Sequence, residues 1–354
     1  MNEELKMKNE ECILLPSGWY SPPLGEDRRG LPIYHSSIPS FIQRIAATPA
    51  LQRLDGVGMN CGCEYTSFPL FHAIERYSRF DHSIGVALIV WHFTQDVRQT
   101  VAALLHDIAT PVFAHVIDFM NGDHERQEST ESRTTEFIDS SVELQDCLVS
   151  AGLTTADVDD YHRFPIADND TPRLSADRLE YTMGNIVNYG IGPREDIARW
   201  YSDLVVGQNE EGVDELMFSH LDVALEFGMA TLKTSEIYVA DQDRYAMQML
   251  ARLVRKHVGR GILTLDDLHT GESLVIQRLM DDEEARRDWL RYRSLHTMSP
   301  VGMPYSTPLA VPAKKRHIDP YVIGSGRLTT LSKPFKRSLG QFLSQSFDHE
   351  ICGE

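Results

Sequence analysis

The sequence of 354 residues has no apolar stretch of membrane length. Its longest run, GVALIVW at 85–91, falls far short of the roughly 20 residues that span a bilayer. The opening MNEELKMKNEEC is charged and has no apolar leader core. A soluble, cytoplasmic protein with no membrane partner is therefore expected. Cysteine is scarce and scattered: Cys12, Cys61, Cys63, Cys147 and Cys352. An odd number, with a single close pair one residue apart, excludes a disulfide framework and spaces zinc ligands poorly, so reduced thiols are expected. Internal repeats and low-complexity tracts are missing. So is the alternation of strands and helices that would build a parallel sheet. Positive charge is short as well: 34 Lys and Arg face 52 Asp and Glu, a net charge of −18. Such a chain repels phosphate backbones at long range, which disfavours nucleic acid as a partner. The deficit is uneven. Residues 314–337 hold Lys314, Lys315, Arg316, Arg327, Lys333, Lys336 and Arg337 against Asp319 alone, a local +6 that leaves −24 for the remainder. That basic segment either docks on the acidic body or closes over an anionic ligand.

What is present is mainly helical periodicity. An apolar share of 42% and a charged share of 24% suit a globular chain with enough apolar residues for one large domain or two ordinary ones. Segments 83–97, 98–108, 175–189, 221–240 and 244–258 all carry apolar residues at helical spacing. Ser175 suits an N-cap and Gly190 a C-terminal stop. GILTLDDLH suggests a further helix capped by Thr264. Short strands are expected near 31–35 and 57–66, and the Pro-, Gly- and Ser-rich stretch 299–334 predicts loop. The expected fold is mostly α: an N-terminal segment at 1–39, a core at 40–200, a second helical lobe at 201–298, and an irregular, loop-rich basic tail at 299–354. The Met- and aliphatic-rich lobe after residue 200 suggests a homo-oligomer, a dimer built through that region.

The metal-capable residues fall at helix ends. RFDHSIG supplies His82 at the start of one helix, LLHDI supplies His106 and Asp107 at the end of the next, and SADRLEY supplies Asp177 in the first turn of a third. A buried carboxylate needs a partner. Two imidazoles and two carboxylates suit one divalent transition metal, Fe, Mn, Zn, Ni or Co, and leave coordination positions open for water or substrate. Taken singly, each residue is more simply a solvated or core-satisfied polar group. Taken together, with these neighbours, they form a site. Adjacent His106 and Asp107 can reach one ion where a helix frays.

These flanks carry a resemblance. RFDHS, LLHDI followed by Pro111 and His115, the later His124-Glu125, and Asp177-Arg178-Leu179-Glu180-Tyr181 together resemble the HD-domain metal-dependent phosphohydrolase superfamily. The similarity is nearest to the branch holding the SAM-and-HD-domain deoxynucleoside triphosphate triphosphohydrolases and their bacterial relatives. LQRLDGVG (51–58), RYAMQML and GILTLDDL fit that branch too, so the resemblance spans roughly 40–280. It implies an HD-domain core at 40–200 and a nucleotide or related phosphate ester as substrate, with Mg accompanying the phosphates. It implies His82, His106, Asp107 and Asp177 as metal ligands and Arg79, Arg178 and Tyr181 as phosphate contacts. His124 would be the general acid tuned by Asp118, with His115 beside it. His115 and Asp118 are three apart and share a helix face, as do Asp177 and Tyr181, four apart.

Two positions depart from the branch. Its members read His-Asp-Ile-Gly-His-Gly-Pro after the apolar run, and Thr110 stands where the second histidine would be. Asn185 stands where the deoxynucleotide enzymes use an acid for the sugar 3′-hydroxyl; an amide can still bond a hydroxyl there. Two other classes remain open at this level. One is an HD-fold di-iron oxygenase using His115 and His124. The other is a non-catalytic nucleotide-binding, oligomerising protein, against which the complete ligand set argues.

Overall fold

The computed structural model describes residues 33–72, 74–121, 133–300 and 308–354. The principal helices are α1 (Arg79–Thr94), α2 (Val97–Leu105), α3 (Val116–Asn121), α4 (Ala176–Asn188), α5 (Leu221–Tyr238), α6 (Asp241–Gly259), α7 (Glu272–Asp281), α8 (Glu283–Arg293) and α9 (Lys333–Ser344). Strands are few and short: β1 (Leu204–Gln208), β2 (Asp214–Phe218), β3 (Leu309–Ala310), β4 (Tyr321–Val322), β5 (Gly326–Arg327) and β6 (Glu350–Ile351). The protein is mostly α, as its periodicity predicts.

Local chemistry sets the helix that everything else surrounds. Ser78 caps α1: its hydroxyl accepts from the Asp81 N–H while Asp81 accepts from the Ser78 N–H, two orphan donors satisfied reciprocally. The helix begins four residues earlier than its apolar pattern, so His82 lies in its first turn. Every residue from Arg79 to Val90 is buried, the mark of a helix enclosed on all sides. Gln95, in the left-handed region at φ 52°, ends it, and Asp96 caps α2 by accepting from the Arg98 and Gln99 N–H groups. α1 packs on α2 and α4. Ser175 caps α4 and Gly190 follows its end at φ 64°, both as expected.

Buried apolar side chains form two clusters. The first gathers α1, α2, α4, α5 and α9 with β1 and β2. The second gathers α6, α7 and α8 with residues 57–71 and 112–119. The chain therefore leaves the first cluster for the second just after His106 and Asp107, between Ile108 and Val112.

Several expectations are corrected. Residues 33–35 and 57–66 form no strand; the latter make turns, with one bridge from Gly58 to Ser78. Thr264 and Asp267 do exchange capping hydrogen bonds, but a single 3₁₀ turn at Asp267–His269 follows, because Thr270 and Gly271 leave helical geometry. The region after residue 200 holds an antiparallel hairpin, β1 with β2, Leu204 opposite Phe218. Its turn is closed by the Asn209 side chain accepting from the Glu211 and Val213 N–H groups. The stretch predicted as loop, 299–334, contributes β3, β4 and β5 and the start of α9. β4 extends the hairpin in parallel with β2, and β3 pairs with β6.

Arg327 joins that late segment to the hairpin. Its guanidinium bonds both oxygens of Glu215 at 2.6 and 2.7 Å, and Glu215 is fully buried. Removing one partner of such a pair strands the other, which costs about 3–5 kcal/mol. Arg327→Met is expected to lower unfolding stability by that amount in urea titration. The double variant Arg327→Met/Glu215→Gln is expected to recover most of it, and equal losses in both would assign the effect to packing.

Candidate functional site

The turn after α2 is built to aim two side chains at one point. Past Leu105 the backbone tightens into i→i+3 bonds, Ile108 N to Leu105 O and Thr110 N to Asp107 O, at 2.9 and 2.8 Å. Arg53 fixes this turn by donating to the Ile108 and Thr110 carbonyls. The His106 Nδ1–H donates to the Ala103 carbonyl at 2.6 Å, which leaves the Nε2 lone pair facing inward. Across from it, on α1, His82 Nε2 lies 3.2 Å from His106 Nε2. Asp107 Oδ2 stands 3.3 Å from His106 Nε2 and 4.0 Å from His82 Nε2. From the first turn of α4, Asp177 Oδ1 reaches to 2.9 Å from His82 Nε2 and 3.6 Å from His106 Nε2.

These separations suit a shared ion. Donors about 2.1 Å from one cation lie roughly 3.0 Å apart at right angles, 3.4 Å at tetrahedral angles and 4.2 Å when opposed. The electrostatics agree. Burial opposes charge on all four groups, yet Asp107 is held well below the ordinary carboxylate range by Arg79 and the imidazoles. Asp177 is likewise lowered by His82, and His82 is raised by Asp177 and Glu180. The cluster thus demands positive charge. Two imidazolium rings with centroids 5.0 Å apart would repel by about 3 kcal/mol at an effective dielectric near 20. A divalent cation answers the same demand without that repulsion. His82, His106 and Asp107 form a His-His-Asp group able to hold one, and Asp177 adjoins it.

Glu180 is the participant the sequence did not single out. It is fully buried, accepts from Tyr77 OH, and lies 2.5 Å from His82 Nδ1. It fixes the tautomer of His82 in the way outer carboxylates orient metal-binding imidazoles. Its signal was available: Asp177 and Glu180 are three apart on α4, so one helix face offers a carboxylate to each ring nitrogen. Gly85 makes room, since a Cβ there would stand 2.6 Å from Glu180 Oε1.

Of the remaining candidates, Arg79, His115, Arg178, Tyr181 and Asn185 line the same cavity of about 290 Å³, as does Thr110. Arg79 Nη1 bonds both oxygens of Asp107, at 2.9 and 3.2 Å. Arg178 donates to Asp168 and Thr171, both at 3.2 Å, and Tyr181 faces the His82 ring at 6.4 Å. Asn185 donates to Tyr238 OH at 2.8 Å, while its carbonyl oxygen is buried with no partner. Thr110 has a clear use: its hydroxyl donates to Asp107 Oδ1 at 2.6 Å, orienting the carboxylate instead of handling a proton. Asp118, fully buried, lies 3.0 Å from His115 Nδ1. Burial, with Arg316 and Arg79 adding to it, lowers His115 to about 4 against the pull of Asp118. His124 lies outside the described residues. Lys314 and Arg316, noted in the sequence only as part of a basic tail, also line the cavity.

No family model matches the chain. It is 26% identical over 287 residues to the metal-dependent phosphohydrolase cns2 of Cordyceps militaris, covering 77% of each chain. It is 23% identical over 250 residues to the uncharacterized protein YdhJ of Bacillus subtilis, covering 70% of this chain and 74% of that one. Among solved structures, a hypothetical protein from Aquifex aeolicus superposes with a TM-score of 0.61 at 17% identity, over 90% and 94% of the two chains. A phosphohydrolase from Bacteroides thetaiotaomicron gives 0.57 at 14% identity, over 93% and 98%. The fold is shared along nearly the whole chain, and among the described residues no helix is long and apolar enough to cross a membrane.

If Glu180 orients His82, Glu180→Gln is expected to weaken metal binding about 10–100-fold, while Asp177→Ala is expected to weaken it further. Titration with Mn or Fe, read by calorimetry and by elemental analysis after dialysis, measures both. Wild-type affinity in Glu180→Gln would relieve Glu180 of that role.

Proposed function

We propose that the protein is a metal-dependent phosphohydrolase acting on a nucleotide or a related phosphate ester, with a (d)NTP triphosphohydrolase as the finer form of that reading. The observation that carries it is the single cavity holding a His-His-Asp group at one end and Arg79, Arg178, Lys314 and Arg316 on its walls. Convergent cations beside a divalent-metal cluster suit an anionic phosphate ester. The names of the Cordyceps relative and the Bacteroides structure support the same class. Tyr161, Tyr181 and Tyr238 give a base or sugar an aromatic wall. The cavity volume, near the small end of ligand sites, fits one small molecule and not a polymer.

His82, His106, Asp107 and Asp177 would hold the ion, which supplies Lewis acidity toward a phosphoryl oxygen and acidifies the attacking water. Arg79 and Arg178 are fixed before substrate arrives, by Asp107 and Asp168, so their charge is pre-organised. Each keeps a buried Nε with no partner. The proton donor to the leaving oxygen is His115 in this reading, because Asp118 engages its Nδ1 and its Nε2 faces the cavity wall at Arg316. The ring is neutral at pH 7 in the free protein. A bound polyanion would offset the part of that lowering that comes from Arg316 and Arg79, and so raise the proton affinity of His115 against the larger effect of burial.

A panel of nucleotides with Mn, Fe, Ni, Co, Zn or Mg, reading triphosphate and orthophosphate separately, tests the class. Within it, His115→Ala is expected to cut kcat about 10²–10⁴-fold with metal content unchanged. Asp118→Asn removes a charge that favours the imidazolium, so the alkaline limb of the kcat profile is expected to move to lower pH. If His124→Ala produces the large loss and His115→Ala none, the donor is His124.

A further inference from the structure

The cavity has a second end. Ring centroids of His82 and Tyr181 stand 6.4 Å apart, and Tyr238, the last residue of α5, lies 6.3 Å from Tyr181. Asn185 is two turns along α4 from Asp177, about 12 Å at a rise of 1.5 Å per residue. The aromatic wall therefore leads from the metal-capable cluster to a region lined by Asn185, Tyr189, Tyr238, Asp243 and Met247. Asp243 and Met247 are four apart near the start of α6, so one helix face offers both to the cavity. Burial, and after it the charge of Asp243 and the nearby Tyr238, raises the Tyr189 hydroxyl, which places Asp243 at this same end.

Hydrogen bonding here is one-sided. Asn185 donates from its amide nitrogen to Tyr238 OH and keeps a buried carbonyl oxygen with no partner. The Asp243 carboxylate is reached, among the described residues, by the Cys63 thiol alone, a weak donor 3.9 Å from Oδ1. The fold makes no other use of it. Ala240 occupies the cap position of α6, and the acid that engages Arg244 is Asp241. Burial lifts Asp243 to about 7 against Arg316, Cys63 and Arg244, as expected of an acid short of donors. Solvent can supply donors to the free protein. A molecule that fills the cavity displaces that solvent and strands the acceptor unless it brings a donor of its own. Resting on the phosphate-ester reading, we propose that Asp243 is a specificity-determining contact of the substrate, its carboxylate accepting a hydrogen bond from a donor on the end furthest from the phosphates, a base amine or a sugar hydroxyl.

The test uses the full-length protein loaded with Mn. The probes are ATP, ITP, CTP, UTP, 2′-deoxy-ATP and 3′-deoxy-ATP, with inorganic tripolyphosphate as the phosphate-only control. Affinity is read by calorimetry, and KM and kcat for every probe that is cleaved. Asp243→Leu is expected to weaken the nucleotide held best by the wild type about tenfold to hundredfold, mainly in KM. Its tripolyphosphate affinity and manganese content are expected to match wild type, which also shows that it folds. Asp243→Asn keeps a carbonyl acceptor and is expected to recover part of the loss. A base amine as donor predicts that the wild type prefers ATP to ITP and CTP to UTP. A sugar hydroxyl predicts that it prefers ATP to one of the deoxy forms. Whichever preference is found is expected to vanish in Asp243→Leu. A wild type with neither preference overturns the inference, as does Asp243→Leu that binds nucleotides like wild type or loses tripolyphosphate equally. If Asp243→Leu weakens nucleotides selectively but no phosphate ester is cleaved with any metal, the hydrolase reading fails and the role of Asp243 stands. If hydrolysis is robust and Asp243→Leu matches it, the role of Asp243 fails alone.

Discussion

His82 is held at both ring nitrogens by carboxylates from a single helix, Glu180 at Nδ1 and Asp177 at Nε2. A fully buried Glu180 and a part-buried Asp177 on one face of α4 are tolerable only if α1 offers them a partner. The packing of α1 on α4 is therefore chemically keyed as well as apolar. Gly85 permits the approach, the Ser78–Asp81 box sets where α1 begins, and the Ser175 cap sets where α4 begins. A one-residue shift of either start would rotate one of the metal-capable side chains by about 100°. The metal cluster, the two caps and one glycine are one constraint seen at different levels.

Much of this was legible in the sequence. The four metal-capable residues stand out because each interrupts or ends an apolar helical pattern, and because a carboxylate beside an apolar run needs an explanation. The caps at Ser175 and Gly190 follow from side-chain chemistry confined to a few residues. Glu180 was visible but unread: a Glu in mid-helix is usually a solvated residue, and only the third dimension turns it toward His82. Thr110 looked like a loss, since a hydroxyl replaces an imidazole. The structure gives it a bond to Asp107 that no spacing argument could supply.

What escaped the sequence is mostly non-local. β1 and β2 are too short to leave an alternation stronger than the surrounding helical pattern, and they are held by packing in the first cluster and by Arg327, more than a hundred residues away in the chain. Residues 309–319 read as loop because they lie in the Pro-, Gly- and Ser-rich stretch 299–334 and hold Pro312 themselves. Their order derives from tertiary anchors, the Lys315 bonds to the end of α9 and the Arg244 bond to Val311. The basic segment's excess of charge was legible, and of the two alternatives that charge allowed, the structure shows the docking. Arg327 docks the segment on the acidic body, and Lys314 and Arg316 face the cavity.

The position of His115 needs a different kind of support. Phe113 and Ala114 lie at φ 60° and 43°, conformations that cost non-glycine residues on the order of 1 kcal/mol or more each. The turn persists because the second apolar cluster over-determines it. Phe113 packs edge-on against Tyr65 and beside Trp289, and the Val112 N–H donates to Leu268 O at 2.7 Å. The facing turn at Cys61–Gly62 is itself left-handed and is held by Tyr292 OH on the Gly62 carbonyl. A Cβ at Gly62 would strike the Phe113 ring, so the two turns admit each other only with glycine there. Glu272 at the start of α7 ties the pair together, accepting from Tyr65 OH and the Gly58 N–H. The two clusters thus divide the site. The first fixes the residues able to hold a metal, the second fixes the histidine beside them, and the chain crosses from one to the other in the seven residues between Asp107 and His115.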